Sequence, residues 1–345
     1  MLALTVHHIV ADGWSMGVLT RELVALYQAF SQGRPDPLPP LAVQYSDFAR
    51  WQSEQLQGEA FTRLTQYWHR QLQGLPQVHN LPLDKPRPAV QRFRGSRVNR
   101  VLDAAMLNDV TQLAQQQQSS LFMLLHTAFA LLLSRYSNET DIVIGTPVAG
   151  RTVKEVEPLL GFFVNTLVLR NDFSADPSFS DALQHARQVH LDAQNNQDVP
   201  FELLVEQLNP QRSLSYSPLF QLMFVLHNNQ HVEADSGVLD IEAQRSRAAL
   251  AKFDLTLIAM ESDNALQLNW EYNTDLFAAQ SISRLNRSFE RLLRSIIEAP
   301  STAVSRLRLT DKTPVADVAS VVPEGLGNIS QLVMRQCVAT PDAIA

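Results

Sequence analysis

His7-His8-Ile9-Val10-Ala11-Asp12-Gly13 sets two imidazoles and a carboxylate against a turn. Around it, Leu2, Leu4, Val6, Ile9 and Val10 form an apolar run rich in β-branched residues, which predicts a buried strand over residues 1–10. From Trp14 the pattern changes to helical spacing, with Leu19, Leu23, Leu26, Tyr27 and Phe30, so Asp12-Gly13 marks a strand-to-helix junction that Ser15 or Asp12 is placed to cap. On a strand His7 and His8 point to opposite faces, which gives only one of them to a cleft. An imidazole takes a proton from an attacking nucleophile near neutral pH and works best when a fixed partner holds it. Asp12 either holds an imidazole directly or holds the turn by pairing with a distant arginine, and the second role is preferred. The plainer alternative is a polar strand end with an Asx-type turn. A zinc site is a weaker rival, because adjacent strand histidines diverge and no third ligand lies nearby.

Composition narrows the class. At 345 residues, with 45% hydrophobic and 18% charged, the chain has room for about two domains with sizeable cores. No stretch reaches the roughly 18 uninterrupted apolar residues of a membrane span. Met1 leads into the apolar run without a charged leader, which argues against a signal peptide. The lone Cys337 excludes an internal disulfide, reads as a structural thiol and fits a cytoplasmic setting. A net charge of −7 argues against nucleic acid as a partner, and the composition against a membrane.

Two proline-dense breaks, Gly33–Pro40 and Leu75–Arg94, punctuate the first third, and the second reads as a crossover between lobes. Between them Tyr45–Leu72 predicts one long helix whose Phe48, Trp51, Leu56, Leu64 and Trp68 read as core. Beyond the crossover, strands are expected at Arg97–Leu102, Asp141–Val148, Phe163–Leu169, Phe220–Leu226, Leu239–Ala243, Phe253–Met260 and Leu266–Tyr272. Helices are expected at Ala104–Gln118, Leu121–Tyr136, Phe179–Gln194 and Ala278–Ile297, with His185 and His190 on an exposed face. In Asn195–Glu202, Pro200 fixes a turn that either lines a site or is a plain helix-to-helix turn held by the Asp198 side chain.

Five segments, taken in order, resemble the condensation domains of nonribosomal peptide synthetases. His7–Gly13 is similar to that family's HHxxxDG, and Tyr45–Trp51 (YSDFARW) to its YxDFAxW. Gly161–Arg170 (GFFVNTLVLR) is similar to its GxFVNTxxxR, Asn196–Glu202 (NQDVPFE) to [H/N]QDxPFE, and Arg212–Leu219 (RSLSYSPL) to RDxSRNPL. Tyr216-Ser217-Pro218 stands where the family commonly has Arg-Asn-Pro. The intact GxFVNT and QDxPFE segments argue against an epimerization domain.

The resemblance implies an α/β fold like chloramphenicol acetyltransferase, with two lobes, a tunnel between them and carrier proteins docking at its ends. An upstream peptidyl carrier would present an acyl or peptidyl thioester on a phosphopantetheine arm, and the amine of a downstream aminoacyl thioester would attack it. By the same resemblance His8 would orient or deprotonate the amine, His7 would be structural, Asp12 would hold the loop through Arg151, and Gly13 would leave room for the substrate arms or offer its N–H to an oxyanion. Asn165, Gln197, Asp198 and Ser217 would lie near the tunnel. The domain would bind no cofactor or metal of its own, and the donor residue would be L-configured. Because the histidine motif opens the chain, most of an N-lobe is expected to be absent. This gives residues 1–75 as its remainder, 76–301 as a complete C-lobe, 302–326 as linker and 327–345 as the start of an adenylation domain, with the isolated chain inactive. The alternative function is a non-catalytic remnant that docks a carrier or adenylation domain.

Overall fold

In the computed structural model, residues 4–228, 250–262 and 265–311 are described, with a few helical positions between 333 and 339. The expected strand at 239–243, Cys337 and most of the segments 302–326 and 327–345 lie outside them. Met1–Leu309 forms one compact unit and Thr310–Ala345 another.

Three helices come first: α1 (Gly13–Ser31), α2 (Tyr45–Gln55) and α3 (Gly58–Gln71). Asp12 caps α1 by accepting the Ser15 N–H, and a Gln44/Asp47 capping box starts α2. The remaining elements are β1 (Gly95–Leu102), α4 (Ala104–Gln116), α5 (Leu121–Ser137), β2 (Asp141–Val148), β3 (Asn165–Asp172), α6 (Phe179–Asn195), α7 (Phe201–Leu208), β4 (Leu222–Asn228), β5 (Leu255–Ser262), β6 (Ala265–Asn273) and α8 (Ala279–Glu298). The strands make one six-stranded sheet in the order β1-β6-β5-β4-β2-β3. β4 pairs parallel with both β2 and β5, and every other pairing is antiparallel. This is the mixed α/β class expected.

The core follows from the sequence. α5 is apolar on nearly every side and its Leu124–Leu133 stretch is buried throughout, so it runs through the centre of the helical layer. With α4 and α8 it packs on the sheet around Phe129, Phe224, Trp270 and Phe289. A second cluster joins Trp68 and Leu72 of α3 and its exit to Val168 of β3 and Leu204 of α7. The crossover after α3 is fastened by buried charge: Asp254, ahead of β5, accepts two bonds from Arg87 (3.1 and 2.5 Å) and one from His79 Nε2 (2.9 Å). Burial alone would raise the Asp254 pKa, but the bonds from His79 and Arg87 outweigh it and hold the carboxyl below its ordinary value.

The structure corrects three expectations. Among the described residues of that run, 4–7 form no strand and His8–Val10 is a short 3-10 turn, so the strand expected at 1–10 is not formed over 4–10; Leu4, Ile9 and Val10 are exposed. A β-rich composition makes a strand only where a neighbouring strand takes its N–H and C=O groups, and no described strand does so here. The long helix over 45–72 breaks at Leu56–Gly58, where Gly58 takes φ +70°, outside the helical region. Finally, His190 of α6 is buried rather than exposed: its Nε2 lies 3.0 Å from Nδ1 of the buried His126 of α5, and the Phe122 ring stacks on His126.

Burial pushes the pKa of His190 down to about 4 and that of His126 well below 6.5, the His190 neighbour adding to the latter. The unfolded chain therefore binds more protons below pH 6.5, so stability is complete above that value and drains away as pH falls toward 4. For His190 alone the loss by pH 4 is about 3 kcal/mol. Denaturant melts of the wild type and of His126→Phe/His190→Leu, compared from pH 7 to pH 4, are expected to show the variant's stability falling less steeply. Parallel pH slopes would remove the pair from the account.

Candidate active site

The start of α1 and the loop before β3 are joined through one carboxylate. Asp12 is buried, and its Oδ1 accepts the Ser15 N–H and hydroxyl, both at 2.8 Å. Its Oδ2 accepts the Phe163 N–H at 3.0 Å, and Arg151 Nη2 stands 3.3 Å from Oδ1, with both side chains almost wholly buried. The same guanidinium donates to the carbonyls of Val156 and Leu159, the latter at 2.9 Å, and lies 4.0 Å over the Phe163 ring. One arginine thus organises the irregular segment 151–163 and ties it to α1. Burial would raise the Asp12 pKa, but the Ser15 and Phe163 bonds and the Arg151 charge outweigh it and leave the carboxyl below its ordinary 3.8. Asp12 touches neither imidazole, so of its two readings the structure shows the turn-holding arrangement.

Two glycines are required by close approach. A Cβ on Gly161 would lie 2.3 Å from the Tyr45 ring, and one on Gly150, at φ +64°, would lie 1.9 Å from the Phe163 carbonyl oxygen. Tyr45 itself donates its hydroxyl to the Phe162 carbonyl at 2.9 Å. Gly13 is different: a Cβ there would meet nothing within 4 Å, so its surroundings are open.

The two histidines are held in opposite tautomers. His8 Nδ1 lies 2.8 Å from the Ala11 carbonyl, which only accepts, so that nitrogen carries a proton, and in the neutral ring the lone pair is on Nε2. His7 Nδ1 instead accepts the Ile9 N–H at 3.1 Å, which places its proton on Nε2. His8 is exposed and packs edge-on to Phe162 with ring centres 5.3 Å apart.

Phe162 is also a wall of a cavity of about 340 Å³ lined by Tyr45, Trp51, Asn165, Gln197, Asp198 and Glu202 among others. Phe48, Leu56 and Leu64 line it too; of the residues expected to be core in the 45–72 segment, Trp68 and Phe48 are buried, Leu64 packs against the Trp68 cluster, and Trp51 is exposed at the cavity. The structure thus brings together Asn165, Gln197 and Asp198 in the cavity lining, whereas His8 is not part of that lining and meets it only through its ring contact with Phe162. Ser217 lies apart, half-buried, its carbonyl accepting from Gln221 Nε2 at 2.9 Å.

Sequence reading missed the work of Asn165. Its Nδ2 donates to the carbonyls of Gln197 (2.7 Å) and Val199 (2.8 Å), and its Oδ1 accepts from Phe201 (3.0 Å) and Thr166 (2.8 Å). The amide is filled by backbone, with two donations and two acceptances, and it binds the GFFVNT segment to the NQDVPFE segment. The turn at 195–200 is therefore held by Asn165, and Asp198, expected either to line a site or to hold the turn, is exposed and lines the cavity. The sequence does carry one signal for this: an Asn at a strand start facing a turn with a proline. α7, which the turn feeds, corresponds to the second helix of the helix-to-helix alternative, whose bounds the sequence leaves open. Among the described residues no group of three His, Cys, Asp or Glu side chains is placed to hold a metal ion.

The family profile described as "Condensation domain" matches residues 1–317. Malpinin synthetase of Mortierella alpina is 40% identical over 351 residues, which is 100% of this chain but 4% of that protein. The chain thus spans a small part of the relatives it matches. Among solved structures, the X-domain from teicoplanin biosynthesis superposes with a TM-score of 0.80 at 30% identity, covering 88% of this chain and 70% of that one. A four-domain nonribosomal peptide synthetase bound to AMP and glycine gives 0.78 at 27%, covering 88% and 24%.

Asp12→Asn and Arg151→Ala are each expected to cost about 3–5 kcal/mol, because each leaves a buried partner uncompensated. A double-mutant cycle in denaturant is expected to be strongly non-additive, and additive losses would dissolve the pair. The Asp12 contribution is complete above pH 3.8 and is lost as pH falls through its lower folded value. Asn165→Asp places a carboxylate oxygen against two carbonyls, at about 1–3 kcal/mol for each buried group left unsatisfied. Hydrogen exchange is expected to speed up at residues 196–202 in that variant while β5 and β6 stay protected.

Proposed function

The chain belongs to the condensation-domain family, and on that premise we propose that it forms peptide bonds between carrier-bound substrates in nonribosomal peptide synthesis. The observation that carries this reading is the hydrogen bond of His8: Nδ1–H is tied to Ala11, so in the neutral ring the lone pair of this exposed histidine is on Nε2, able to take a proton, and the ring packs on Phe162, a wall of the cavity. The amine of an aminoacyl thioester attacks the carbonyl of an acyl or peptidyl thioester; the C–N bond forms and the C–S bond breaks. His8 orients the amine or moves its proton, which ends on the departing thiolate. The Gly13 N–H, in its open surroundings at the first turn of α1, is the candidate donor to the transient oxyanion. Both substrates arrive on phosphopantetheine arms of upstream and downstream carriers, an adenylation domain follows, and the domain needs no cofactor of its own. No single helix among the described residues is long and apolar enough to cross a membrane.

A second reading, docking without catalysis, is favoured by the apolar side chains that α1 leaves exposed, among them Leu23, Tyr27 and Phe30. The two readings part on one assay. In a module where this segment is flanked by loaded donor and acceptor carriers, intact-mass spectrometry of the acceptor carrier is expected to show the dipeptide adduct. His8→Ala is expected to abolish it, and His7→Ala to reduce folding or yield instead. Near-normal turnover by the His8 variant would end the catalytic assignment, and carrier binding with no adduct in the wild type would favour docking.

A further inference from the structure

Ser15 is fully buried at the first turn of α1, and its hydroxyl does more than a helix start requires. Its Oγ lies 2.8 Å from Asp12 Oδ1, 2.8 Å from the Gly161 carbonyl oxygen, 3.1 Å from the Gly161 nitrogen and 2.9 Å from Arg151 Nη2. The last two are donors and fill its lone pairs, so its single proton serves Asp12 Oδ1 and the Gly161 carbonyl in turn.

The Gly161 carbonyl is the link that matters. It also accepts the Asp12 N–H at 3.1 Å, and that N–H belongs to the same planar peptide unit as the Ala11 carbonyl. The Ala11 oxygen, at the other end of that plane, receives the His8 Nδ1 proton at 2.8 Å. A rigid peptide plane therefore stands between the two: Gly161 fixes its N–H end, and its C=O end sets the tautomer and tilt of His8. Asp12 Oδ2 and Phe163 brace the same loop from the other side, which seats Phe162 against the His8 ring.

We propose that Ser15 is a positioning residue for His8, acting through the Gly161 carbonyl and the Ala11–Asp12 peptide plane to hold His8 as the Nδ1–H tautomer with Nε2 free. The effect on turnover rests on the function proposed above; the effect on the imidazole does not.

The test uses the full chain labelled with 15N-histidine at pH 8, the His8 signals being assigned by their loss in His8→Gln. In the wild type the 15N shifts are expected to show Nδ1 protonated and Nε2 unprotonated. Ser15→Ala is expected to move both toward the averaged shifts of an unrestrained imidazole while the His7 signals and the far-ultraviolet circular dichroism stay in place. Ser15→Cys, which keeps an atom able to donate and accept there, is expected to recover part of the wild-type pattern. In the carrier-flanked module Ser15→Ala is expected to lower kcat at least tenfold with little change in KM for the acceptor. Unchanged His8 shifts in a folded Ser15→Ala protein overturn the proposal. If the shifts move as stated but neither Ser15→Ala nor His8→Ala alters condensation, the positioning stands and the catalytic role proposed for His8 falls; if the wild type forms no dipeptide adduct, the proposed function falls.

Discussion

The buried Asp12 carboxylate is the constraint from which the site is built. Removing a carboxylate from water is costly, and it stays ionised here only because two backbone N–H groups, a hydroxyl and a guanidinium converge on its two oxygens. Those partners come from segments far apart in the chain. Ser15 is its neighbour on α1, whereas Arg151 and Phe163 belong to the irregular stretch between β2 and β3. Two segments without strand pairing of their own thereby acquire a common geometry, and the imidazole pair rides on one of them. Charge is used here as a ruler: the ion must be satisfied, and only one arrangement of the two segments satisfies it.

The sheet supplies the frame that makes this possible. β2 and β3 pair over their whole length, from Asp141 opposite Asp172 to Val148 opposite Asn165, so both ends of the intervening loop leave the sheet at fixed positions. Asn165 then extends that order by one step, from the start of β3 to the turn before α7. The cavity wall at Gln197 and Asp198 is consequently positioned by an amide belonging to a different motif. The resemblance in sequence groups these stretches as separate signatures; hydrogen bonding joins them into one object.

What the sequence made legible was periodic or local. Asp141–Val148 reads as a strand to the residue, because its apolar run is bounded by polar breaks, and α5 reads as a buried helix because it is apolar all round. The pairing of Asp12 with Arg151 was anticipated from resemblance alone, since no pattern rule links residues so far apart. Residues 4–10 failed because strand propensity describes a side chain's fit to a sheet and says nothing about whether a sheet edge is offered. His190 failed because a histidine on an amphipathic helix was assigned by its polarity, although it falls three to four residues from the buried Ala186 and Ala193 and so shares their face. The hydrogen bonds of Asn165 and the Ser15 relay leave no periodic trace, which is why a sequence reading passes over them.

The clamp formed by Arg87, His79 and Asp254 bears on how such a chain is recombined with its relatives. Its members lie on either side of most of the sheet, two before β1 and one just before β5. A crossover point placed anywhere between 94 and 254 draws the carboxylate from one parent and its hydrogen-bond donors from another. Where the parents share all three residues the exchange is silent; where they do not, a buried charge is inherited without its partner. Exchange points within β1 to β4 are thus constrained by a contact that lies outside those strands, and chimeras cut beyond Asp254 escape it.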